Sequence, residues 1–496
     1  MKVDWIDRAN SLNLQVRDFL GGRWVHDGGS ETIEKYSPRD GSLLYCVATG
    51  NKHRVDAAVR EARSAFESGS WSRMSSGSRK RVLHKLASLI DEHLEELALL
   101  ESLDAGRPIS DAVMFDVPTA ASIIRYCAEA AEMLLGKAYG ADQFSLSYQL
   151  RRPVGVVAGI IGWNFPLVLA AQKVGPALAA GNSLVLKPSE LTSLSAARIA
   201  ELAVEAGVPP GVFNVVHGEA DIGSALACHR NVNLLSFTGS SQTGKKMLIA
   251  SGESNMKRLI LECGGKSPNI VFDDCPEIGS VADAIVSRAF WNQGQVCTAS
   301  SRLLVHESIK DELLEAVIQR MAAFRLGDPL EPTTRFGALV SRKHKEKVSQ
   351  CVLEGHNQGA RVVYQSSSPP PNDAGFYLPP VILDNVAPDQ KLAQEEIFGP
   401  VLCVMGFRDE REAISMANNT AYGLSAIVWT KELSRAHRVT FGLESGWTVV
   451  NATGSPRGGF DEAISVGGHK ESGIGTEGGI EGLEAYMNAT AVQIFV

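Results

Sequence analysis

Apolar positions over the first 130 or so residues recur at steps of three and four. Val55, Ala58, Val59, Ala62 and Phe66 form one stripe, and Val82, Leu86, Leu89, Ile90, Leu94 and Leu97 form another. That spacing puts each set on one face of a helix, so the first third is expected to be mainly helical. From about residue 153 the rhythm changes. Short β-branched runs, at Val154 to Ile161, Ser183 to Leu186, Val212 to Val216, Leu234 to Phe237 and Leu259 to Leu261, alternate with helical patterns. Such alternation reads as βαβ units on a parallel sheet, with ligands expected at the carboxyl ends of the strands. A second alternating block begins at Asn269 to Phe272. It continues through a helical pattern from Glu277 to Trp291, a strand at Arg302 to His306 and a helix from Ile309 to Phe324, and predicts a second α/β lobe. Ser366 to Ala374 reads as a surface turn. Gln143 to Arg151 and the tail Ala489 to Val496 fit neither lobe. An apolar edge strand is a liability unless something pairs with it, so both read as arms used in oligomerisation, or the tail as an ordinary sheet edge.

Composition narrows the class. A chain of 496 residues is long enough for about three domain-sized units. With 44% hydrophobic and 21% charged residues it is no disordered or collagen-like polymer. Forty-eight Lys and Arg against 56 Asp and Glu leave a net charge of −8, and no basic run offers a face to nucleic acid or an anionic membrane. The start, Met1 to Arg8, lacks the apolar stretch of a signal peptide, and no segment reaches ~20 uninterrupted apolar residues, so a cytoplasmic protein is expected. Eight cysteines, at 46, 127, 228, 263, 275, 297, 351 and 403, include no CxxC pair, so neither a disulfide framework nor a metal site is expected.

Candidate chemistry sits at the strand ends. The literal GxGxxG at Gly473 to Gly478 is rejected as a dinucleotide fingerprint because it follows a polar, turn-like stretch instead of a buried strand. Ser183 to Leu186 leads into Lys187-Pro188-Ser189-Glu190, where Pro188 could open a helix and Lys187 and Glu190 could hold a ribose; Pro-Ser-Glu is equally a common helix start. Leu234 to Phe237 leads into Thr238-Gly239-Ser240 and then Gly244, either a pyrophosphate-binding helix start or a tight turn that needs glycine. Cys297 lies in a Gly- and amide-rich loop, the polar setting a reactive thiolate requires, whereas Cys403 is flanked by aliphatic residues. Cys263 is the rival, disfavoured by the adjacent Glu262, which should raise its thiol pKa. Glu262 ends an apolar strand ahead of Gly264 and Gly265, as a functional base or as the first solvated residue. Asn164, in Trp163-Asn164-Phe165-Pro166, could donate to a developing oxyanion or cap the next helix.

Taken together, these motifs resemble the aldehyde dehydrogenase superfamily. WNFP (163 to 166), KPSE (187 to 190), FTGS with Gly244, LECGGKSP (261 to 268), NQGQVC (292 to 297) and EEIFGP (395 to 400) stand in that family's order across essentially the whole chain. The resemblance implies an α/β fold: a Rossmann-like parallel-sheet NAD-binding domain (1–134 and 153–261), an α/β catalytic domain (262–463) and a small β oligomerisation arm (135–152 and 480–496). It implies a homo-oligomer, dimer or tetramer. Cys297 would be the nucleophile, Glu262 the general base, and Asn164 with the Cys297 N–H the oxyanion hole. Trp163, Lys187, Ser189, Glu190, Gly239, Ser240, Gly244, Glu396 and Phe398 would contact NAD, and Lys173 would lie near the nicotinamide. Glu190 would repel a 2′-phosphate and favour NAD, while small Ser189 leaves NADP as an alternative. The substrate expectation is an ω-amino, γ-glutamylamino or guanidino aldehyde, held by Phe165, Trp291, Thr298 and an acidic partner, Asp116; packing and a solvated helix charge are the plain readings of Trp291 and Asp116. Gln172 stands where succinic semialdehyde dehydrogenases carry an anion-binding Arg. Aliphatic or aromatic aldehydes are the alternative substrates; a CoA-acylating enzyme or a non-catalytic homologue are the alternative functions. Two departures from the family pattern are Cys263, which could oxidise or pair with Cys297, and Ser455 to Ala463 near the expected substrate mouth.

Overall fold

Two sheets, joined by a very short crossover, organise the chain. The computed structural model describes residues 3–25, 32–48, 51–140, 143–451 and 461–495; positions 455 to 460 of the departing segment, and Val496, lie outside the described residues. The first sheet has eight strands in the spatial order Arg23–Trp24, Phe19–Leu20, Phe213–Val215, Ser183–Lys187, Val156–Ile160, Leu234–Thr238, Arg258–Glu262 and Gly473–Ile474. Its five central strands are parallel. Their register sets Ile160 beside both Lys187 and Phe237, and Thr238 beside Glu262, so four carboxyl ends meet along one edge.

Helices cover both faces of this sheet, which is why its strands read as unbroken apolar runs. Val157, Leu184, Leu186 and Leu234 face a core built with the helices Ser76–Glu92, Val117–Ala130, Pro166–Ala179 and Leu194–Ala206. Val156, Ala158, Val185 and Leu235 face the opposite core, against Lys52–Ser68, Ala220–Cys228 and Ser241–Ser254. Alternate side chains of one strand thus enter different cores, as a period of two requires.

The second sheet runs Arg361–Gln365, Val381–Asp384, Val401–Phe407, Arg302–His306, Pro268–Val271, Ser425–Trp429 and Trp447–Val450. All its pairings are parallel except that of Arg361–Gln365, at the edge. Only the five residues Cys263–Ser267 separate Glu262, the last residue of a strand in the first sheet, from Pro268, the first of a strand in the second. Apart from both, Ser145–Pro153 and Met487–Phe495 pair antiparallel in a two-stranded ribbon through nine residue pairs.

Several expectations need amendment. The stripe from Val82 to Leu97 is not one helix: Ser76–Glu92 ends at His93, and Leu94–Ala105 begins a new helix buried along nearly all its length. Pro188 opens no helix; the next one starts at Leu194, after a turn in which the Ser189 carbonyl accepts from the Thr192 N–H and the Ser193 hydroxyl. The first third is also not purely helical. Thr32–Tyr36 pairs with Leu43–Ala48, and Phe19–Leu20 with Arg23–Trp24, in strands too short or too polar to print a period.

Candidate active site

The crossover between the sheets forms one wall of a cavity of about 360 Å³, whose lining includes Cys297, Glu262, Asn164, Trp163, Phe165, Thr298, Trp291, Gly239, Ser240, Glu396 and Phe398. Residues up to 362 positions apart in the chain therefore converge on one space. Close packing of backbone makes this convergence achievable. A Cβ on Gly265 would lie 2.4 Å from the Cys297 carbonyl oxygen, and one on Gly264 would lie 2.5 Å from Glu396 Oε2. Neither glycine is needed for a left-handed φ; both are needed for space.

The loop that carries Cys297 follows the helix Ile278–Phe290 and is bent by three successive positive φ values, 49° at Asn292, 56° at Gln293 and 70° at Gly294. Non-glycine residues pay for such angles, so the loop must be held by its surroundings. Asn164 and Asn292 are the clamp: Asn164 Nδ2 donates to the Gln295 carbonyl (3.1 Å), and Asn292 Nδ2 donates to the Asn164 carbonyl (3.0 Å). Gln295 Oε1 in turn accepts from the Val340 N–H at 3.0 Å. Asn164 does not cap the helix Pro166–Ala179, which has Phe165 at its N-cap and no side-chain cap. An amide nitrogen carries two hydrogens, so one remains for the cavity.

Electrostatics in the cavity favour neutral groups. Burial, then Glu477, pushes the Glu262 carboxyl well above the usual carboxylate range, against the pull of Lys173. Burial, followed by Glu396 and Glu262, pushes the Cys297 thiol up to about 12. The polar loop suggested a stabilised thiolate; the structure instead sets that thiol among carboxyl groups, which disfavours its ionisation. Glu396 is raised to about 7 by burial, although its Oε1 accepts from the Gly265 N–H at 2.9 Å. Lys173 is fully buried and ion-paired with Glu477, whose Oε1 also accepts from Ser236 Oγ at 3.3 Å. Glu477 comes from the rejected GxGxxG segment. Gly473–Ile474 adds to the edge of the first sheet, pairing Gly473 with Glu262, and this delivers Glu477 beside the acid.

Along the carboxyl edge of the first sheet, the residues present fit a dinucleotide. Lys187 Nζ lies 3.7 Å from Glu190 Oε2, and burial lowers the ammonium pKa. Ser240 caps the helix Ser241–Ser254 by accepting from the Thr243 N–H, leaving other first-turn N–H groups to face an anion. Gly239 has no positive φ, but a Cβ there would lie 2.5 Å from the Phe237 ring, so glycine is required for closeness. Trp163 packs edge-on against Phe398 (5.1 Å between centroids) and His344 (5.0 Å). Lys187, Ser189, Glu190 and Gly244 lie outside the lining of the cavity itself. Ser189 Oγ is engaged by the Leu191 N–H.

One site expectation is corrected. Asp116 is fully buried and ion-paired with Arg107 at 2.8 Å, and it does not line the cavity. The Arg107 guanidinium lies 4.3 Å from the Phe165 ring centroid and 5.2 Å from that of Trp291. Asp116 therefore balances a cation behind the aromatic wall and has no access to substrate. It sits in a single π-helical turn, Ala112–Asp116, whose irregular backbone turns an apparently surface-facing charge inward. Sequence reasoning also missed Phe115, Arg288, His344, Lys347, Trp447 and Glu477 in the lining. Glu477 lies within the noticed Gly473 to Gly478 segment, which was its local signal.

A family model described as the aldehyde dehydrogenase family matches residues 24–492. The chain belongs to the aldehyde dehydrogenase family. It is 43% identical over 491 residues to the NADP/NAD-dependent aldehyde dehydrogenase PuuC of Escherichia coli, covering 99% of this chain and 98% of that one. Among solved structures, an indole-3-acetaldehyde dehydrogenase complexed with NAD+ superposes with a TM-score of 0.97 at 44% identity, covering 99% of each chain. A γ-glutamyl-γ-aminobutyraldehyde dehydrogenase from Burkholderia cenocepacia superposes with a TM-score of 0.96, also at 44% identity and 99% coverage of both chains. This aldehyde dehydrogenase is an NAD(P)-dependent oxidoreductase with the fold of that family.

Three measurements check the site. Alkylation of Cys297 by iodoacetamide in the cofactor-free protein should still be accelerating above about pH 9, beyond the ~8.5 of an ordinary thiol; a plateau near neutrality would contradict the raised thiol pKa. A Cβ at position 244 would lie 2.6 Å from Cys263 Sγ, so Gly244→Ala should destabilise the protein by about 1 to 3 kcal/mol and Cys263→Ala should restore the loss in the double variant. Asp116→Asn should lower the thermal midpoint, leaving a buried guanidinium unpaired at about 3 to 5 kcal/mol. The relative kcat/KM of cationic and neutral aldehydes should stay the same, because Asp116 is out of reach of either.

Proposed function

We propose that this enzyme oxidises an aldehyde to a carboxylic acid through a covalent thioester on Cys297. The supporting observation is the sharing of one cavity by the Cys297 thiol, the Glu262 carboxyl and the Asn164 amide. Attack by sulfur on the carbonyl carbon requires the thiolate, the thiol proton passing to solvent. The developing oxyanion is held by Asn164 Nδ2 and the Cys297 N–H. Bound NAD(P) supplies the acceptor for the hydride that leaves the tetrahedral carbon, so that a thioester remains. Glu262 then takes a proton from water, the resulting hydroxide adds to the thioester carbonyl, and the cysteine sulfur leaves. A carboxyl group whose pKa is raised by burial is suited to this proton transfer near neutral pH. Lys187 and Glu190 hold the adenosine ribose, Gly239 and Ser240 the pyrophosphate, and Glu396 and Phe398 the nicotinamide ribose; the Glu190 carboxylate favours NAD over NADP by repelling a 2′-phosphate.

The substrate is a polar-chain aldehyde of the ω-amino, γ-glutamylamino or guanidino class, within which the γ-glutamylamino type suits this cavity best. With Asp116 removed from consideration, the cavity offers aromatic walls and the Gln172 amide to an amide-bearing chain and no free acid to an ammonium group. An aromatic aldehyde is the second reading, favoured by the cluster of Phe115, Phe165 and Trp291, whose centroids lie 4.6 to 6.1 Å apart. Oligomerisation runs through the ribbon of Ser145–Pro153 and Met487–Phe495: an isolated two-stranded ribbon is marginal in water, and this one exposes Leu146, Ile494 and Phe495. No helix among the described residues is long and apolar enough to cross a membrane.

Stopped-flow NADH formation tests the chemistry. Glu262→Gln should retain a first-turnover burst with slow steady-state turnover, since the acyl enzyme forms but is not hydrolysed; loss of the burst would place Glu262 before acyl transfer. Cys297→Ala should show no burst.

A further inference from the structure

Arg288 is a charged part of the cavity wall that the proposed chemistry leaves unused. It lies in the last turn of the helix Ile278–Phe290, three residues before Trp291, and it lines the same cavity as Cys297. Its guanidinium is half-buried, with the carbon centre 5.6 Å from the centroid of the Trp447 ring. Among the described residues it makes no ion pair with a carboxylate and no hydrogen bond to the carbonyls that end its helix. Arginines drawn out of water normally pair, because the guanidinium carries five donors and cannot shed its charge.

The acids around the cavity are otherwise engaged. Glu477 is paired with Lys173, Glu396 accepts from the Gly265 N–H, and Glu262 belongs to the reacting end. Asp116 lies behind the aromatic wall with Arg107. Among the described lining residues Arg288 thus presents a planar fork of donors with no carboxylate partner, in a cavity that also holds Lys347 and the polar Thr119, Gln172 and Thr298, and an anion is the complement of that fork.

We infer that Arg288 recognises a carboxylate at the end of the substrate chain remote from the aldehyde. The inference rests on the reading of this cavity as the aldehyde-oxidising site, and it deepens the substrate class. The preferred substrate carries its aldehyde to Cys297 and an anionic tail to Arg288, while the aromatic rings between them cover the linking chain. A γ-glutamylamino aldehyde, whose terminal amino-acid unit carries a free carboxylate beside its ammonium group, offers that fork a partner; a simple ω-amino aldehyde, with an ammonium group alone at the same end, does not. Arg288 projects from a different helix from Gln172, which stands on Pro166–Ala179.

A chain-length series of ω-oxo carboxylic acids, their methyl esters and butanal, assayed by NADH formation with the full-length enzyme, tests this assignment. At the best length the wild-type enzyme should prefer acid to ester by roughly ten- to a hundredfold in kcat/KM, expressed mainly in KM. Arg288→Met should bring the acid-to-ester ratio close to one by raising KM for the acid, and Arg288→Lys, which keeps the charge without the fork, should fall between. A wild-type ratio near one at every length, or a preference that survives in Arg288→Met, would overturn the assignment while leaving aldehyde oxidation intact. Failure of the wild-type enzyme to oxidise any of the aldehydes, butanal included, would overturn the oxidative reading and the inference with it.

Discussion

The contact between the backbone at Gly265 and the Cys297 carbonyl is the constraint on which the arrangement depends. Five residues must carry the chain from one sheet to the other, and on the way they must pass against the loop that carries Cys297 without a side chain in between. If this crossover were longer or bulkier, Glu262 and Cys297 would no longer face a common space. The same closeness recurs at Gly264 against Glu396 and at Gly294, where a Cβ would lie 2.2 Å from the Gly399 carbonyl oxygen. Three segments distant in the chain thus meet backbone to backbone around one cavity, a geometry that only residues without a Cβ allow.

Such tight enclosure has an electrostatic consequence. Removing water from a thiol and two carboxyl groups disfavours all their charged forms together, and each anion would further oppose the others. Protonation states in the cavity are therefore interdependent, and the Lys173–Glu477 pair is the permanent charge closest to the acid that must change state.

Behind the aromatic wall the opposite solution operates. Arg107 and Asp116 are both completely buried yet remain paired, and the guanidinium packs on Phe165 and Trp291. A cation on the rear of these rings draws on their π density, so their cavity faces are less receptive to a second cation than isolated rings would be. It is the Arg107 guanidinium, not its Asp116 partner, that lies against these rings.

Local patterns determined much of this protein. The parallel strands, with their apolar runs buried on both faces, and the second α/β lobe were legible because burial fixes hydrophobic periodicity residue by residue. Cys297, Glu262 and Asn164 stood out because each breaks an apolar pattern at the end of an element, where chemistry is normally placed. What the sequence could not determine were relations between distant segments. Asp116 read as an acidic partner for substrate, or else a solvated helix charge, until a π turn and Arg107 brought it inside. Gly473 to Gly478 looked like an idle glycine cluster until edge pairing with Glu262 brought Glu477 to the acid. The Cys297 thiol sat in a polar loop, yet its pKa is raised by burial and then by Glu396 and Glu262, which lie 99 residues after and 35 residues before it. Periodicity reports which way a side chain faces along its own element. Charge pairing, desolvation and close backbone approach depend on what stands opposite, and only the packed tertiary structure decides that.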